Sequence, residues 1–498
     1  MKYNSTRDNS VSYCSAEAIK RGLAPDGGLF VPSDIPKISQ GEIVSMIDKS
    51  YPEKAAFVLS RFLTDYSEEE LLECTQIAYG KEKWASDSIV PLHKIDERTF
   101  FQEQFHGPTC AFKDFALQML PQLLPHAIEK TGDSRDVLIL VATSGDTGKA
   151  ALAGFQDVAR TRIVSFFPEN GVSEIQKLHM VTQDGQNVGV CPVIGNFDDT
   201  QTGVKAIFSD SAYREELSNS GFLLSSANSI NWGRLSPQIA YHFSAYCDMV
   251  KSGEIKMGQK INILIPSANG GNIMAAYFAK EMGVPIAKLI LACNKNNALT
   301  NCIRTGEYNI NREFYLTGTP AMDILISSNF ERMIYMLSDR NAAQVAEWMK
   351  QLRTEGKYVV SDKVKQQFDT QFWSSFCDDT SVAESIKDTY EKHKYLIDPH
   401  TAVGKKVYDR YIAETGDTTK TVLSAVASPF KFPKFVSDAL GMDTEGKDEF
   451  NICAEVSEKT GLAVPQTLVE LKNKQVRFAK SYAKSAMKAY VNSFVFGQ

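Results

Sequence analysis

Lys113 stands between Phe112 and Phe115 in the stretch His106 to Gln118, HGPTCAFKDFALQ. Burial in such a setting removes a lysine's hydration and disfavours the ammonium. It leaves a neutral amine able to attack a carbonyl, which a Schiff-base lysine requires. The same residues also fit an amphipathic helix, with Phe112, Phe115, Ala116 and Met119 inward and Lys113 snorkelling to water. This window alone favours the second reading; two glycine loops elsewhere reverse it.

The first loop, Thr143-Ser144-Gly145-Asp146-Thr147-Gly148, follows a strand expected over Asp136 to Ala142 and leads into a helix expected over Gly148 to Ala159. Glycines let backbone approach a ligand, and a helix start offers unpaired N–H groups to an anion. The alternative is a turn in which Thr143, Ser144 or Asp146 merely caps the helix. A P-loop is excluded by spacing: the first glycine would fall on Thr143, and Ala150 stands where a magnesium-binding hydroxyl is needed. The second loop, Ser267-Ala268-Asn269-Gly270-Gly271-Asn272, repeats the arrangement between a strand at Ile261 to Ile265 and a helix at Ile273 to Met282. A third segment, Ser225 to Arg234, sets Asn228, Ser229, Asn231 and Arg234 ahead of a helix over Pro237 to Val250. An arginine among amides and hydroxyls suits a phosphate or carboxylate, or equally a structural ion pair. One lysine for a carbonyl and glycine loops for a phosphate together suggest a phosphorylated aldehyde cofactor, pyridoxal 5′-phosphate.

The elements that must hold these groups read as alternating strands and helices from about residue 90: strands also at Thr161 to Phe167 and Lys288 to Ala292, and a helix at Ser173 to Val181. This predicts an α/β fold of open sheets with helices on both faces. Ahead of it, residues 1–90 form a small N-terminal α/β domain, with helices at Lys54 to Leu63 and Ser67 to Tyr79, the second capped by Asp65 or Ser67. The catalytic region spans 91–440 as two α/β subdomains, with a helical insertion at about 330–395 and a strand at Thr421 to Val426. Residues 441–498 are expected as a helical extension.

The 498 residues carry a formal net charge of −6, which argues against a nucleic-acid partner. The basic run Lys472, Lys474, Arg477, Lys480 and Lys484 is expected to be the solvated face of a helix. Nine cysteines occur singly and no leader precedes them, which suits the cytoplasm. Apolar runs are too short to span a membrane, and seven widely spaced histidines form no metal-ligand pattern.

HGPTCAFKDFALQ, ATSGDTGKAA, SANSINWGR, NREFY with MDILISSNFER, and DPHTAVG resemble the bacterial threonine synthases of the pyridoxal-phosphate fold type II group, and AIKRGLAPDGGLFVP resembles their N-terminal domain. The resemblance runs from about residue 3 to about 436. It implies conversion of O-phospho-L-homoserine and water to L-threonine and phosphate, by a monomer or homodimer. It further implies that Lys113 bonds the cofactor, that Phe112 lies close to its ring, and that Ser267, Ala268, Asn269, Gly270, Gly271 and Asn272 hold its phosphate. Thr143, Ser144, Asp146 and Thr147 are implied to contact the substrate carboxylate or cofactor, and Asn228, Ser229, Asn231 and Arg234 to lie near the substrate phosphate.

Two departures stand out. Where the family has PTGNFG, this chain has Pro266-Ser267-Ala268-Asn269-Gly270-Gly271; a positive φ at Ala268 would cost on the order of 1 kcal/mol. Val426 aligns with a family threonine that faces the pyridine nitrogen, with Ser424 or Ser428 as possible substitutes. These changes keep two alternatives open: a related phospho-amino-acid lyase that yields a keto acid, and a non-catalytic metabolite-binding relative. A nucleotide-phosphate ATPase is weakened by the failed P-loop spacing.

Overall fold

The computed structural model describes all residues except Ser144, Gly171 and Gln498. Two sheets carry the architecture. The first has six strands in the order Phe372–Phe376, Ile286–Cys293, Ile261–Pro266, Thr421–Ala425, Thr99–Glu103 and Leu92–Lys94, parallel throughout except for the last pair. The second has five parallel strands: Tyr482–Ala483, Val188–Ile194, Thr161–Pro168, Asp136–Ala142 and Phe222–Ser225. Apolar runs such as Ile261 to Ile265 are buried because helices cover both faces of a parallel sheet.

Helix Trp232–Lys251 is buried along nearly its whole length and packs on helices Tyr51–Phe62, Lys113–Lys130 and Gly271–Met282. It starts before the expected Pro237 because the Asn231 side chain accepts from the Gly233 N–H and caps it there. Arg234 therefore sits inside the first turn rather than on a loop ahead of it. The N-terminal residues share this core: Tyr3, Ala16 and Phe62 join Trp232 and Phe278 in one apolar cluster. Helix Glu68–Ala78 is capped by Ser67, through a capping box with Glu70.

Two expectations change. The region at 330–395 is not wholly helical, since Phe372–Phe376 forms the edge strand of the six-stranded sheet. Its pairing partner Leu289 to Cys293 is about eighty residues distant, beyond the reach of local periodicity. The C-terminal tail is likewise broken: helix Gln466–Val469 gives way to an exposed basic stretch, Tyr482–Ala483 joins the second sheet, and only Met487–Phe496 resumes the helix. Lys474 to Lys480, beyond the short helical turn Glu470–Asn473, offer no apolar stripe to bury, so that part of the run is not a helix face. Among the described residues no helix is long and apolar enough to cross a membrane.

Candidate active site

Within each sheet the strands that matter here are parallel, so their carboxyl ends release the loops of interest at one edge of that sheet. Glu103 ends one strand and leads towards Lys113; Ala425 ends its neighbour and Pro266 the next strand of the same sheet, while in the other sheet Ala142 ends the strand before Thr143. The segment ahead of Lys113 is zipped to the end of Thr421–Ala425. Ala111 bridges Ala427, the Phe112 N–H donates to the Val426 carbonyl at 2.8 Å, and Ser428 N–H donates to the Cys110 carbonyl at 3.0 Å. Lys113 is thereby fixed as the first residue of helix Lys113–Lys130, with its Nζ 5.4 Å from the Phe112 ring centroid.

Lys113 Nζ lies 3.3 Å from Asp146 Oδ2, and Lys431 Nζ lies 2.9 Å from Asp146 Oδ1. One carboxylate faces two ammonium groups, and their electrostatics diverge. Burial would raise the Asp146 carboxyl, but the cations of Lys431 and then Lys113 hold it well below the usual carboxylate range. Burial would lower Lys431, but Asp146 raises it overall. Lys113 is lowered by burial, against the pull of Asp146, and the charges of Lys431 and Arg234 lower it further. Lys431 thus holds its proton the more firmly of the two, and Lys113 is the less basic amine. Lys431 also donates to the Thr109 carbonyl at 2.7 Å, and Gln176 Nε2 donates to Asp146 at 3.3 Å.

The two glycine loops differ. In the first, Thr143 Oγ1 accepts from both Gly145 and Gly148 N–H at 2.9 Å, so its hydroxyl is committed to the turn. A Cβ at Gly148 would meet Thr143 Cγ2 at 2.3 Å. Thr147 is half-buried at the same helix start, and Ser144 lies outside the described residues. In the second, Ser267 Oγ is buried with no hydrogen-bond partner among the described residues. Gly270 has φ 72° and caps helix Gly271–Met282, whose first-turn N–H groups have no intrahelical acceptor. Ala268 lies outside the left-handed region, so the strain anticipated there falls away; it is Gly270 that needs the freedom. Asn269 is exposed, and its carbonyl accepts from Asn329 N–H. Asn272 points its amide into the protein, towards His242 at 2.8 Å and Gln104 at 3.2 Å.

Of the third segment, Asn228 is exposed and Ser229 accepts from Asn329 Nδ2. Asn231 is spent on capping and on the Ile19 carbonyl at 3.0 Å. Arg234 is 4 % exposed and pairs with no carboxylate among the described residues. Its Nη1 donates to the Ala227 carbonyl at 2.6 Å while its Nε finds no acceptor, and burial lowers it to about 10. Val426 gives its N–H to Thr401 Oγ1 at 3.0 Å, its carbonyl accepts from the Phe112 N–H, and its apolar side chain is buried. Neither substitute hydroxyl is idle: Ser424 accepts from Gln104 Nε2, and Ser428 caps the turn at Pro429.

Sequence reasoning missed Lys431, although Phe430-Lys431-Phe432 carries the same apolar flanks as Lys113. It also missed Arg332, fully buried, which donates to the Phe30 and Ile230 carbonyls and to Asn329. That guanidinium ties the N-terminal strand to the Ser229 and Gly270 loops.

The family model described as threonine synthase N terminus matches residues 2–79, and that of threonine synthase, C-terminal, matches 401–491. Human threonine synthase-like 1 is 40% identical over 435 residues, covering 85% of this chain and 58% of the relative. This chain thus spans little more than half the length of the first curated relatives it matches. Threonine synthase of Saccharomyces cerevisiae is 35% identical over 467 residues, covering 88% and 89%. The crystal structure of PLP-bound threonine synthase from Brucella melitensis superposes with a TM-score of 0.88 at 33% identity over 99% of each chain.

Proposed function

The chain belongs to the threonine synthase family, and from that premise we propose that it converts O-phospho-L-homoserine and water to L-threonine and phosphate with pyridoxal 5′-phosphate on Lys113. The observation that carries this reading is the arrangement at Asp146, which leaves Lys113 an amine of lowered basicity beside the Thr143–Gly148 loop.

The residues present fit the cofactor. The unpartnered Ser267 hydroxyl and the free first-turn N–H groups after Gly270 form a seat for its phosphate, and the Phe112 ring lies beside Lys113 Nζ. When bound, the cofactor supplies an aldehyde that bonds amines reversibly and a ring that takes up charge when a proton leaves the adjoining carbon. Lys113 removes the Cα proton of the substrate. The nearby Asp146 carboxylate steadies the ammonium that results, and Lys431 keeps that help from making the amine too basic to return the proton. A second proton leaves Cβ and the Cγ–O bond breaks, releasing phosphate. The hydroxyl of water then bonds Cβ, and protons return to Cγ and Cα. Arg234, a buried cation without a carboxylate partner, stabilises the charge that builds on the departing phosphate, with Ser229 and Asn228 at the rim. Thr147 is assigned to the substrate carboxylate; Thr143 and Asn231 act by holding their loops. A cytoplasmic location is part of the proposal, consistent with nine free cysteines.

Incubating purified, cofactor-loaded protein with O-phospho-L-homoserine and measuring phosphate and threonine together tests the reading. Equal amounts are expected. Val426, which brings no hydroxyl to the ring, favours one rival: phosphate accompanied by a keto acid and ammonia, without threonine, would establish the lyase instead.

A further inference from the structure

A second cavity, of about 270 Å³, lies among helices Lys113–Lys130, Asp146–Phe155 and Glu174–Val181 and the C-terminal segment around Leu471. None of the residues assigned to the reaction lines it. Its buried wall carries Lys149, Gln118 and His179, which are 8 %, 3 % and 2 % exposed. The Gln118 Nε2 and His179 Nε2 atoms have no hydrogen-bond partner among the described residues. Lys149 Nζ donates to Gln183 Oε1 at 2.7 Å, and Gln183 is itself held by donating to Gln156 Oε1 at 2.9 Å. An ammonium has three protons to donate, so Lys149 retains capacity for an acceptor. The acids that line the cavity, Asp184 and Glu470, are exposed, as is Lys474.

A buried polar wall left short of acceptors is costly, because each unmade hydrogen bond forfeits the desolvation of its group. An oxyanion answers all three at once, with the neutral His179 in the tautomer that carries its proton on Nε2. We propose that this cavity is a second binding site, apart from the reaction centre, for a small metabolite bearing a phosphate or carboxylate group held by Lys149, Gln118 and His179. The exposed Lys474, Asp184 and Glu470 then meet the rest of the molecule.

Burial and the charge of Lys474 lower Lys149 to about 7, with Lys431 adding to that effect and Asp114 and Asp184 opposing it; His179 is lowered by burial and by Lys149. An anion here favours the protonated lysine, so binding is tighter below about pH 7 than above it.

The test is calorimetric titration of cofactor-loaded protein with inorganic phosphate and, separately, acetate. Because phosphate is also the proposed reaction product, it is run in an Arg234→Met background, with and without Lys149→Met or Gln118→Leu. One saturable anion site is expected in Arg234→Met, weakened at least tenfold by either second change. Preference for phosphate identifies a phosphorylated ligand, and preference for acetate a carboxylate. No saturable binding, or binding indifferent to both changes in proteins with unaltered melting, overturns the proposal. The component that depends on Lys149 is the readout, so the result stands whether or not the reaction-site reading holds.

Discussion

The loops Thr143–Gly148 and Ser267–Asn272 are alike in sequence and opposite in how their polar groups are used. The first turns inward: Thr143 consumes two of its own N–H groups, and Asp146 is locked between Lys113 and Lys431. The second turns outward, with an unpartnered Ser267 hydroxyl, a left-handed Gly270 and an open helix start. A glycine-rich strand-to-helix loop is therefore not by itself an anion seat. What decides is whether the protein has already spent the donors.

The comparison can be tested most severely at the lysine that the first loop serves. Lys113→Ala is expected to lower threonine formation by about 10³-fold or more and to abolish the visible absorbance of bound cofactor; a variant that keeps the band refutes the assignment. Next comes Asp146→Asn, which leaves Lys113 and Lys431 without their common counter-charge. Breaking such a buried pair should cost about 3–5 kcal/mol of stability in denaturant titrations. Because the Asp146 pKa is depressed in the folded state, that contribution is fully present above the ordinary carboxylate range and is lost as pH falls below it. Asp146 also raises Lys113, so in the variant the acid limb of the rate profile should move to lower pH.

A smaller, sharper contrast pits the two hydroxyls against each other. Thr143→Val orphans two N–H groups and should cost about 1–2 kcal/mol of stability by thermal melting. Ser267→Ala removes a hydroxyl with no protein partner, so stability should hardly change while cofactor affinity falls about five- to thirtyfold in equilibrium titration. If the two variants exchange these signatures, the inward and outward assignments are wrong. The smallest effect is expected from Val426→Thr, which adds a hydroxyl at a buried side chain and should change the ratio of threonine to keto acid by no more than a few-fold.

Much of the scaffold was legible because it is local. Asp136–Ala142 was bounded by its apolar run, and Ser67 was among the caps anticipated for its helix. Phe372–Phe376 was not, since a five-residue edge strand takes its identity from a partner about eighty residues away, and Val188–Ile194 was hidden because Gly189 and Pro192 interrupt its apolar run. At the site, Lys113 was found by its aromatic flanks, yet Lys431 with the same flanks passed unnoticed. The difference between them is not in their neighbours along the chain.

By itself the sequence determined which residues can do chemistry here: a lysine among aromatics, two glycine loops at strand ends and an arginine in a polar segment, since side-chain type and backbone freedom are properties of the residues themselves. Only the tertiary structure decided which lysine is the less basic and which loop has donors to offer. Lys113, Asp146 and Lys431 meet across more than three hundred residues, Thr143 folds its loop closed, and Ser267 is left open. Protonation and hydrogen-bond capacity depend on the groups that share a buried space, and that space exists only once the strands have aligned their carboxyl ends.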